Sequence, residues 1–225
     1  MTKRFSGQRI QLSRNQMREN GVCLLAHDVL TQPVDSIASL PKNHAVERTA
    51  GQVLCRQLAI SNGLHTCDMT SMVNGFIWQG WLTSNQGKAV HDQFPDFNPS
   101  RQFTRRVIHG KEVLIAGREE AAIAGITGEQ LFSATIVQGR LTQEQVTKLV
   151  INALGKDVVL NLGDGGHARL AVGFVRQSNE TILRLANPYD PENFEELPIE
   201  SALEFSEGNA ITGIAKRAAS MHYRD

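Results

Sequence analysis

The sequence is short of cysteine and of long apolar runs. Its three cysteines, Cys23, Cys55 and Cys67, are odd in number and include no CxxC pair, which excludes a disulfide framework and a typical zinc site. No apolar run approaches the roughly 20 residues of a membrane span, and residues 1–20 are basic and polar, without the apolar core of a secretory signal. We therefore expect reduced thiols and a protein that is cytoplasmic or exported without a cleaved signal.

Net charge is also missing, because 23 basic and 23 acidic residues cancel. This balance gives no reason to expect nucleic acid or an anionic membrane as a partner. A length of 225 residues with 41% hydrophobic residues fits one domain with additions. We expect an N-terminal arm with a short helix over residues 1–45 and the main domain over residues 46–225.

An amphipathic helix is predicted to begin beside Cys67. Thr66 can cap this helix, and Asp68 suits its first turn. Cys67 would then lie among unpaired backbone N–H groups at the positive end of the helix dipole, which favours a thiolate. The apolar residues recur at steps of three and four along one face: Met69, Met72, Val73, Phe76, Ile77 and Leu82.

A β-hairpin is predicted in the second half of the chain. Residues 168–174 alternate in polarity, and residues 181–186 run back after a polar turn. A register centred on Gln177 places His167 opposite Asn187, where the imidazole and the amide can hydrogen-bond. A cysteine nucleophile needs such a pair, because the imidazole takes the thiol proton and the third group fixes the orientation of the ring.

Other patterns predict further elements. A capping box at Thr142 opens a helix that ends at Leu154, and residues 84–101 are predicted to form a loop in which His91 and Asp92 are exposed. The remaining expectations are a hairpin of residues 103–108 and 113–116, a buried strand over residues 158–162, a last strand over residues 211–215, and an edge strand or part of a helix over residues 52–58.

Two parts of the chain resemble papain-like cysteine peptidases of the bacteriocin-processing, double-glycine type. The run from Cys67 to Asn74 is similar to the nucleophile helix of that group, which typically reads Cys-Gly-Pro-Thr-Ser-Leu-Ala-Asn. Gly166-His167, Val172-Gly173-Phe174 and Asn187-Pro188 are similar to its catalytic hairpin, where aspartate is usual at the position of Asn187. The resemblance covers residues 50–192. It implies an α+β, papain-like fold in which a helical half with the nucleophile helix packs against a small antiparallel sheet.

The resemblance also implies a function and a set of site residues. It makes Cys67 the nucleophile, His167 the base, Asn187 the orienting group and Gln57 a donor to the oxyanion hole of a cysteine peptidase. The substrate would be a peptide or protein, and no metal or organic cofactor would be needed. A glutamine deamidase or an acyl transferase would use the same groups on another carbonyl, and a catalytically degenerate domain would only bind a peptide.

A second nucleophile stays open. Gly21-Val22-Cys23 resembles the start of the nucleophile helix in papain-like bacterial effector peptidases, and Asp190-Pro191 resembles an Asp-Pro step of that group. This assignment would make Cys23 the nucleophile and Asp190 the orienting group. Cys23 is followed by two leucines and lacks the Thr-Ser pair that follows Cys67, which favours Cys67.

Candidate substrate contacts are few. Trp78 and Trp81 lie three residues apart on the predicted Cys67 helix, where they either line a pocket or pack in the core. Tyr189 follows the proposed catalytic amide, where the resemblance implies an aromatic residue. Arg105 and Arg106 could contact an acidic substrate, although a solvated face is the usual role of such residues.

Overall fold

The computed structural model combines helices with one antiparallel sheet. It describes residues 39–57, 66–93, 103–108, 111–116, 134–136, 142–163, 166–177, 180–203 and 211–215. The helices are α1 (Thr66–Trp78), α2 (Ser84–Gln93), α3 (Gln143–Leu154) and α4 (Ile199–Ala202). The strands are β1 (Asn43–Ala45), β2 (Phe103–Ile108), β3 (Lys111–Ala116), β4 (Ala134–Ile136), β5 (Val158–Gly163), β6 (Ala168–Arg176), β7 (Thr181–Ala186), β8 (Phe194–Pro198) and β9 (Ile211–Ala215).

The strands of these ranges form one sheet in the order β2-β3-β4-β9-β5-β6-β7-β8, with β1 added to β6. Every pairing is antiparallel. The predicted α+β class is therefore confirmed. No helix in the described part of the chain is long and apolar enough to cross a bilayer.

Helix α1 runs through the core and packs against β5, β6 and α2. The predicted apolar stripe is buried along its whole length, and Val73, Phe76 and Ile77 are completely inaccessible. Buried polar groups are usually paired, and the buried polar side chains of α1 and of Gln79, which follows it, bind the elements around the helix. These bonds join Thr70 to His91, Ser71 to the Ala168 carbonyl, Asn74 to the Cys55 backbone and Gln79 to the Asp157 carbonyl.

Residues 46–57, which we call the strap, follow β1, end at Gln57 and have no regular secondary structure. The predicted edge strand or helix over residues 52–58 is wrong as far as Gln57, because three successive backbone N–H groups here bind side chains instead of a ladder. The Val53 N–H donates to Ser84 Oγ, the Leu54 N–H to Glu192 Oε1 and the Cys55 N–H to Asn74 Oδ1, over 2.7, 3.2 and 2.7 Å.

The predicted loop over residues 84–101 is wrong in its first part, which forms α2. Gly87, a loop signal in the sequence, lets α2 approach α1: a Cβ at this position would lie 2.5 Å from Ile77 Cδ1. His91, predicted to be exposed, is buried against α1 with only 4% of its surface accessible.

Strand β1 lies within the predicted arm, so the sheet begins before residue 46. It pairs with the second half of β6, with Ala45 opposite Gly173. A Cβ on Gly173 would lie 2.8 Å from the His44 carbonyl oxygen, so the close approach of the two backbones requires glycine. The rest of the predicted arm, including Cys23, lies outside the described residues.

Four other predictions are confirmed. The Thr142 side chain and Gln145 form the predicted capping box of α3, which ends at Leu154. The β2–β3 hairpin, the buried strand β5 and the last strand β9 also lie where the polarity pattern placed them.

Candidate active site

His167 and Asn187 meet at the end of the β6–β7 hairpin, and their side chains are hydrogen-bonded over 2.9 Å between Nε2 and Oδ1. The predicted register is wrong by two residues at this end of the hairpin, because Leu170 rather than Ala168 pairs with Ala186. It is wrong by three residues on the turn side of the shift between Ala171 and Gly173. The histidine therefore reaches the amide diagonally.

The ring of Tyr189 occupies the place beside the imidazole. The His167 and Tyr189 ring centroids are 5.0 Å apart with an interplanar angle of 22°, which is a stacked arrangement. Tyr189 is 59% exposed, so one side of the imidazole is covered by a ring that itself faces solvent.

The surroundings of Asn187 determine which of its side-chain atoms faces His167. A carboxylate oxygen of Glu195 accepts from Asn187 Nδ2, and the Tyr189 backbone N–H donates to Asn187 Oδ1 over 3.0 Å. A carboxylate only accepts and a backbone N–H only donates, so both contacts identify the oxygen as the atom that faces His167. Because Oδ1 is an acceptor, Nε2 of His167 must carry a proton. In the neutral ring, Nδ1 is then unprotonated and can accept one.

Cys67 lies in the first turn of α1, and its neighbours attach this turn to the sheet beside His167. Asp68 Oδ1 accepts from Asn161 Nδ2 of β5 over 2.6 Å. Ser71, one turn further along, donates its hydroxyl to the carbonyl of Ala168, the residue after His167, over 3.2 Å. The start of α1 is thus docked on the strand that His167 opens. Since one helical turn rises by about 5.4 Å, Cys67 lies a short distance along the helix from this contact.

The thiol of Cys67 is free and half-buried. Its backbone N–H lies in the first turn of the helix, where such groups lack a partner within the helix. These N–H groups and the positive end of the dipole favour negative charge at this position.

Gln57 lies at the end of the strap and beside the same hairpin. Its backbone N–H donates to the Pro188 carbonyl over 2.6 Å, which places it next to Asn187. Among the described residues its side-chain Oε1 is buried without a hydrogen-bond partner. A buried amide oxygen without a partner is rare in folded proteins, and within the described residues Gln79 Oε1 and Asn161 Oδ1 share this property.

Asp190, the alternative orienting group, is engaged by other residues. Its carboxylate accepts from Asn193 Nδ2 over 2.8 Å and from Arg56 over 3.1 Å. The hydrogen bond from Asn193 and the charge of Arg56 lower the pKa of Asp190. The side chain that accepts from His167 Nε2–H is Asn187 instead. Cys23, the alternative nucleophile, lies outside the described residues.

Cys55 and His91 line a separate cavity of about 400 Å³ between the strap and α2. Burial and, to a smaller extent, the charge of Asp92 raise the pKa of the Cys55 thiol to about 11. His91 Nε2 is hydrogen-bonded to Thr70 Oγ1 over 2.8 Å, and burial lowers its pKa. Cys55 is therefore a protonated thiol at neutral pH, and the expectation that it belongs to the core agrees with its packing.

The other candidate contacts are placed as follows. Trp78 and Trp81 are 5% and 4% exposed, so both pack in the core instead of lining a surface pocket. The Trp78 indole N–H donates to the Val46 carbonyl and anchors the strap. Arg105 and Arg106 lie in β2.

The sequence did not point to two residues that hold the site together, Asn161 and Glu195. Asn161 is buried in β5 and binds Asp68, and Glu195 of β8 binds Asn187. Glu195 is one of several acidic residues between 192 and 200, and only the pairing of β8 with β7 separates it from the others.

Comparison with models of known protein families and with curated proteins finds no match for this chain. In the part of the chain that the structure describes, no group of three or more His, Cys, Asp or Glu side chains is arranged to hold a metal ion.

Proposed function

We propose that the protein is a papain-like, thiol-dependent amide hydrolase, a cysteine peptidase with Cys67, His167 and Asn187 as its triad and Gln57 in its oxyanion hole. The observation that carries the proposal is the His167–Asn187 hydrogen bond. It keeps the proton of the neutral ring on Nε2, so that Nδ1 is the unprotonated nitrogen, which is the state that a cysteine nucleophile requires.

In this mechanism, the Cys67 thiol gives its proton to His167 Nδ1 and its sulfur attacks the carbonyl carbon of the substrate amide. The carbonyl electron pair moves to oxygen, which the Cys67 backbone N–H and the Gln57 side-chain amide stabilise. His167 Nδ1–H then protonates the leaving amine as the C–N bond breaks. Water, deprotonated by His167, attacks the thioester, and the C–S bond breaks to regenerate the thiol.

Two features of the site support the assignment of Cys67. The first two turns of α1 are fixed to β5 and β6 by Asp68 and Ser71, so the thiol and the imidazole are carried by elements that are hydrogen-bonded to each other. The second feature is the position of Cys67 in the first turn of α1, where backbone N–H groups without a partner in the helix favour negative charge on the sulfur.

The experiment that tests the proposal is alkylation of the intact protein with iodoacetamide at neutral pH, followed by mapping of the modified cysteine at short times. We expect Cys67 to react much faster than free cysteine does, and to lose this advantage in His167→Ala. Cys55 is an internal control, because a thiol with a pKa of about 11 is ionised to about one part in 10⁴ at pH 7. Fast labelling of Cys23, or no fast cysteine, would contradict the proposal.

A further inference from the structure

Four side chains beside the site are linked by successive hydrogen bonds, from Arg169 through Glu195 and Asn187 to His167. Leu185 of β7 pairs with both Ala171 and Glu195, and directly paired residues share one face of a sheet. Asn187 lies two positions beyond Leu185, and Arg169 lies two positions before Ala171. Since side chains alternate along a strand, Arg169, Glu195 and Asn187 project from the same face.

Glu195 is held from both sides. One carboxylate oxygen accepts from Arg169 Nε over 3.1 Å, and the other accepts from Asn187 Nδ2. The side chains of Arg169 and Glu195 are 17% and 36% exposed, so the pair is substantially withdrawn from water. The carboxylate therefore has one oxygen committed to the guanidinium and one to the amide.

We propose that Glu195 is a positioning residue that fixes the proton on Nε2 of the neutral His167 ring. By accepting from Asn187 Nδ2, Glu195 directs Asn187 Oδ1 to His167, and this keeps Nδ1 unprotonated and able to take the thiol proton. If the amide turned over, Nδ2 would face the ring and the ring proton would move to Nδ1, where it would block the base. The inference rests on the proposed function and adds a residue that acts through Asn187.

The proposal can be tested by exchanging the hydrogen-bond donor at position 187 with the acceptor at position 195. In Glu195→Gln, the carbamoyl oxygen keeps Arg169, so two NH₂ groups meet. This repulsion favours turnover of the Asn187 amide, against the remaining hydrogen bond from the Tyr189 N–H to Oδ1. In Asn187→Asp, two carboxylates face each other. In the double variant Asn187→Asp, Glu195→Gln, the glutamine amide donates to one aspartate oxygen and the other oxygen still accepts from His167, so the arrangement is restored.

The first readout is the ring tautomer, measured by ¹⁵N NMR of the imidazole nitrogens in the full chain carrying Cys67→Ala, at a pH above the ring titration. His167→Ala identifies the signals. We expect Nε2–H in the parent chain and in the double variant, and a large fraction of Nδ1–H in Glu195→Gln. Glu196→Gln is the matched control, because Glu196 is the next residue of β8, is exposed, and projects from the opposite face.

The second readout is the rate of Cys67 alkylation as a function of pH. We expect each single variant to lower this rate at neutral pH by roughly tenfold or more, the size of effect known for groups that orient metal-bound histidines. The double variant should return to within about threefold of the natural chain, as expected for coupled residues. Thermal unfolding checks the fold, and Glu195→Ala, which also removes the acceptor, replaces Glu195→Gln if that variant does not fold.

The outcomes separate the two proposals. An unchanged Nε2–H tautomer in Glu195→Gln, an equal effect of Glu196→Gln, or a double variant no faster than the slower single variant would overturn the role of Glu195. If Cys67 of the natural chain reacts no faster than free cysteine, the proposed function fails. The tautomer measurement still reports on Glu195 in that case, because it is made without the thiol.

Discussion

The imidazole of His167 stacks on the ring of Tyr189, with centroids 5.0 Å apart. Stacking of two rings is worth about 0.5–1.5 kcal/mol beyond the area it buries. Here it opposes rotation of the imidazole about its own side-chain bonds. The hydrogen bond to Asn187 defines one end of the ring, and the stack defines its plane.

This arrangement predicts different effects for two Tyr189 variants. Tyr189→Phe keeps the ring and should leave the rate of Cys67 alkylation unchanged. Tyr189→Ala should lower it by about two- to tenfold, the range that a loss of 0.5–1.5 kcal/mol in the productive ring orientation allows. Because Tyr189 is 59% exposed, both variants should unfold at nearly the same temperature as the natural chain. Equal rates for the three proteins would show that the stack has no role in orientation.

A second prediction compares Asn187 with Asp190. Asn187→Ala removes the acceptor of the His167 Nε2–H and should lower the alkylation rate by roughly 10- to 100-fold. Asp190→Ala removes a carboxylate that binds Arg56 and Asn193, and it should change the rate little. The reverse order would transfer the orienting role to Asp190.

Local periodicity was sufficient to predict α1 and most strands. The apolar stripe is encoded within residues 69–82 without help from elsewhere, although α1 ends at Trp78 and Leu82 lies beyond the helix. The hairpin was predictable for the same reason, but its register was not: the turn is closed by the Gln177 N–H and the Glu180 carbonyl, and the irregularity beside Gly173 changes the pairing further along. These details depend on turn geometry and on β1, which approaches from a distant part of the chain.

The strap and α2 show why other parts could not be predicted. The strap is held by Ser84, Asn74 and Glu192, which are distant in sequence, so no local pattern indicates its path. Helix α2 contains Gly87 and mostly polar residues, and its burial depends on the shape of α1. The position of His91 in the interior therefore follows from tertiary packing alone.

The burial of His91 predicts a dependence of stability on pH. Because burial lowers its pKa, the folded protein binds fewer protons at this site than the unfolded chain does. The contribution of His91 is thus fully present above the unfolded pKa of about 6.5 and is lost as the pH falls below it, by at most about 1.4 kcal/mol per pH unit.

His91→Gln keeps a polar group that can bind Thr70 and removes the titration. We expect the difference in unfolding free energy between pH 7.5 and pH 5.5 to be smaller in this variant than in the natural chain, as measured by urea unfolding. Alkylation of Cys67 should be unaffected, since His167 is the proposed base. Loss of fast alkylation in a folded His91→Gln would identify His91 as part of the site.

We expect Gln57 to stabilise a tetrahedral adduct at the Cys67 thiol and to leave alkylation of that thiol unchanged. Removing one oxyanion donor costs on the order of 3 kcal/mol, so Gln57→Ala should weaken binding of a peptide aldehyde, which forms a tetrahedral adduct with the thiol, by about 100-fold. Alkylation by iodoacetamide develops no such oxyanion and should keep its rate. A parallel loss in both measurements would assign Gln57 a structural role, through its contact with Pro188, and not a catalytic one.

The charges around the site predict how a substrate is recognised. Three cationic side chains near it are already paired within the chain: Arg48 with Glu192, Arg56 with Asp190 and Arg169 with Glu195. Because these charges are paired, little electrostatic field remains around the site to steer a charged substrate. The exposed ring of Tyr189 offers an apolar surface beside His167. We therefore expect hydrolysis or deamidation to favour peptides with an apolar residue near the reacting carbonyl.

The salt dependence of the reaction tests this inference directly. With an apolar peptide, kcat/KM should change by about twofold or less between low salt and 0.3 M, where charges further apart than about 6 Å are screened. A peptide of the same length with acidic residues at the same positions is the matched comparison, and it should react more slowly at both salt concentrations. A steep loss of activity with salt would indicate a charged protein substrate. Arg105 and Arg106 of β2 would then be the first residues to replace, because the sequence predicts them as possible contacts for an acidic substrate.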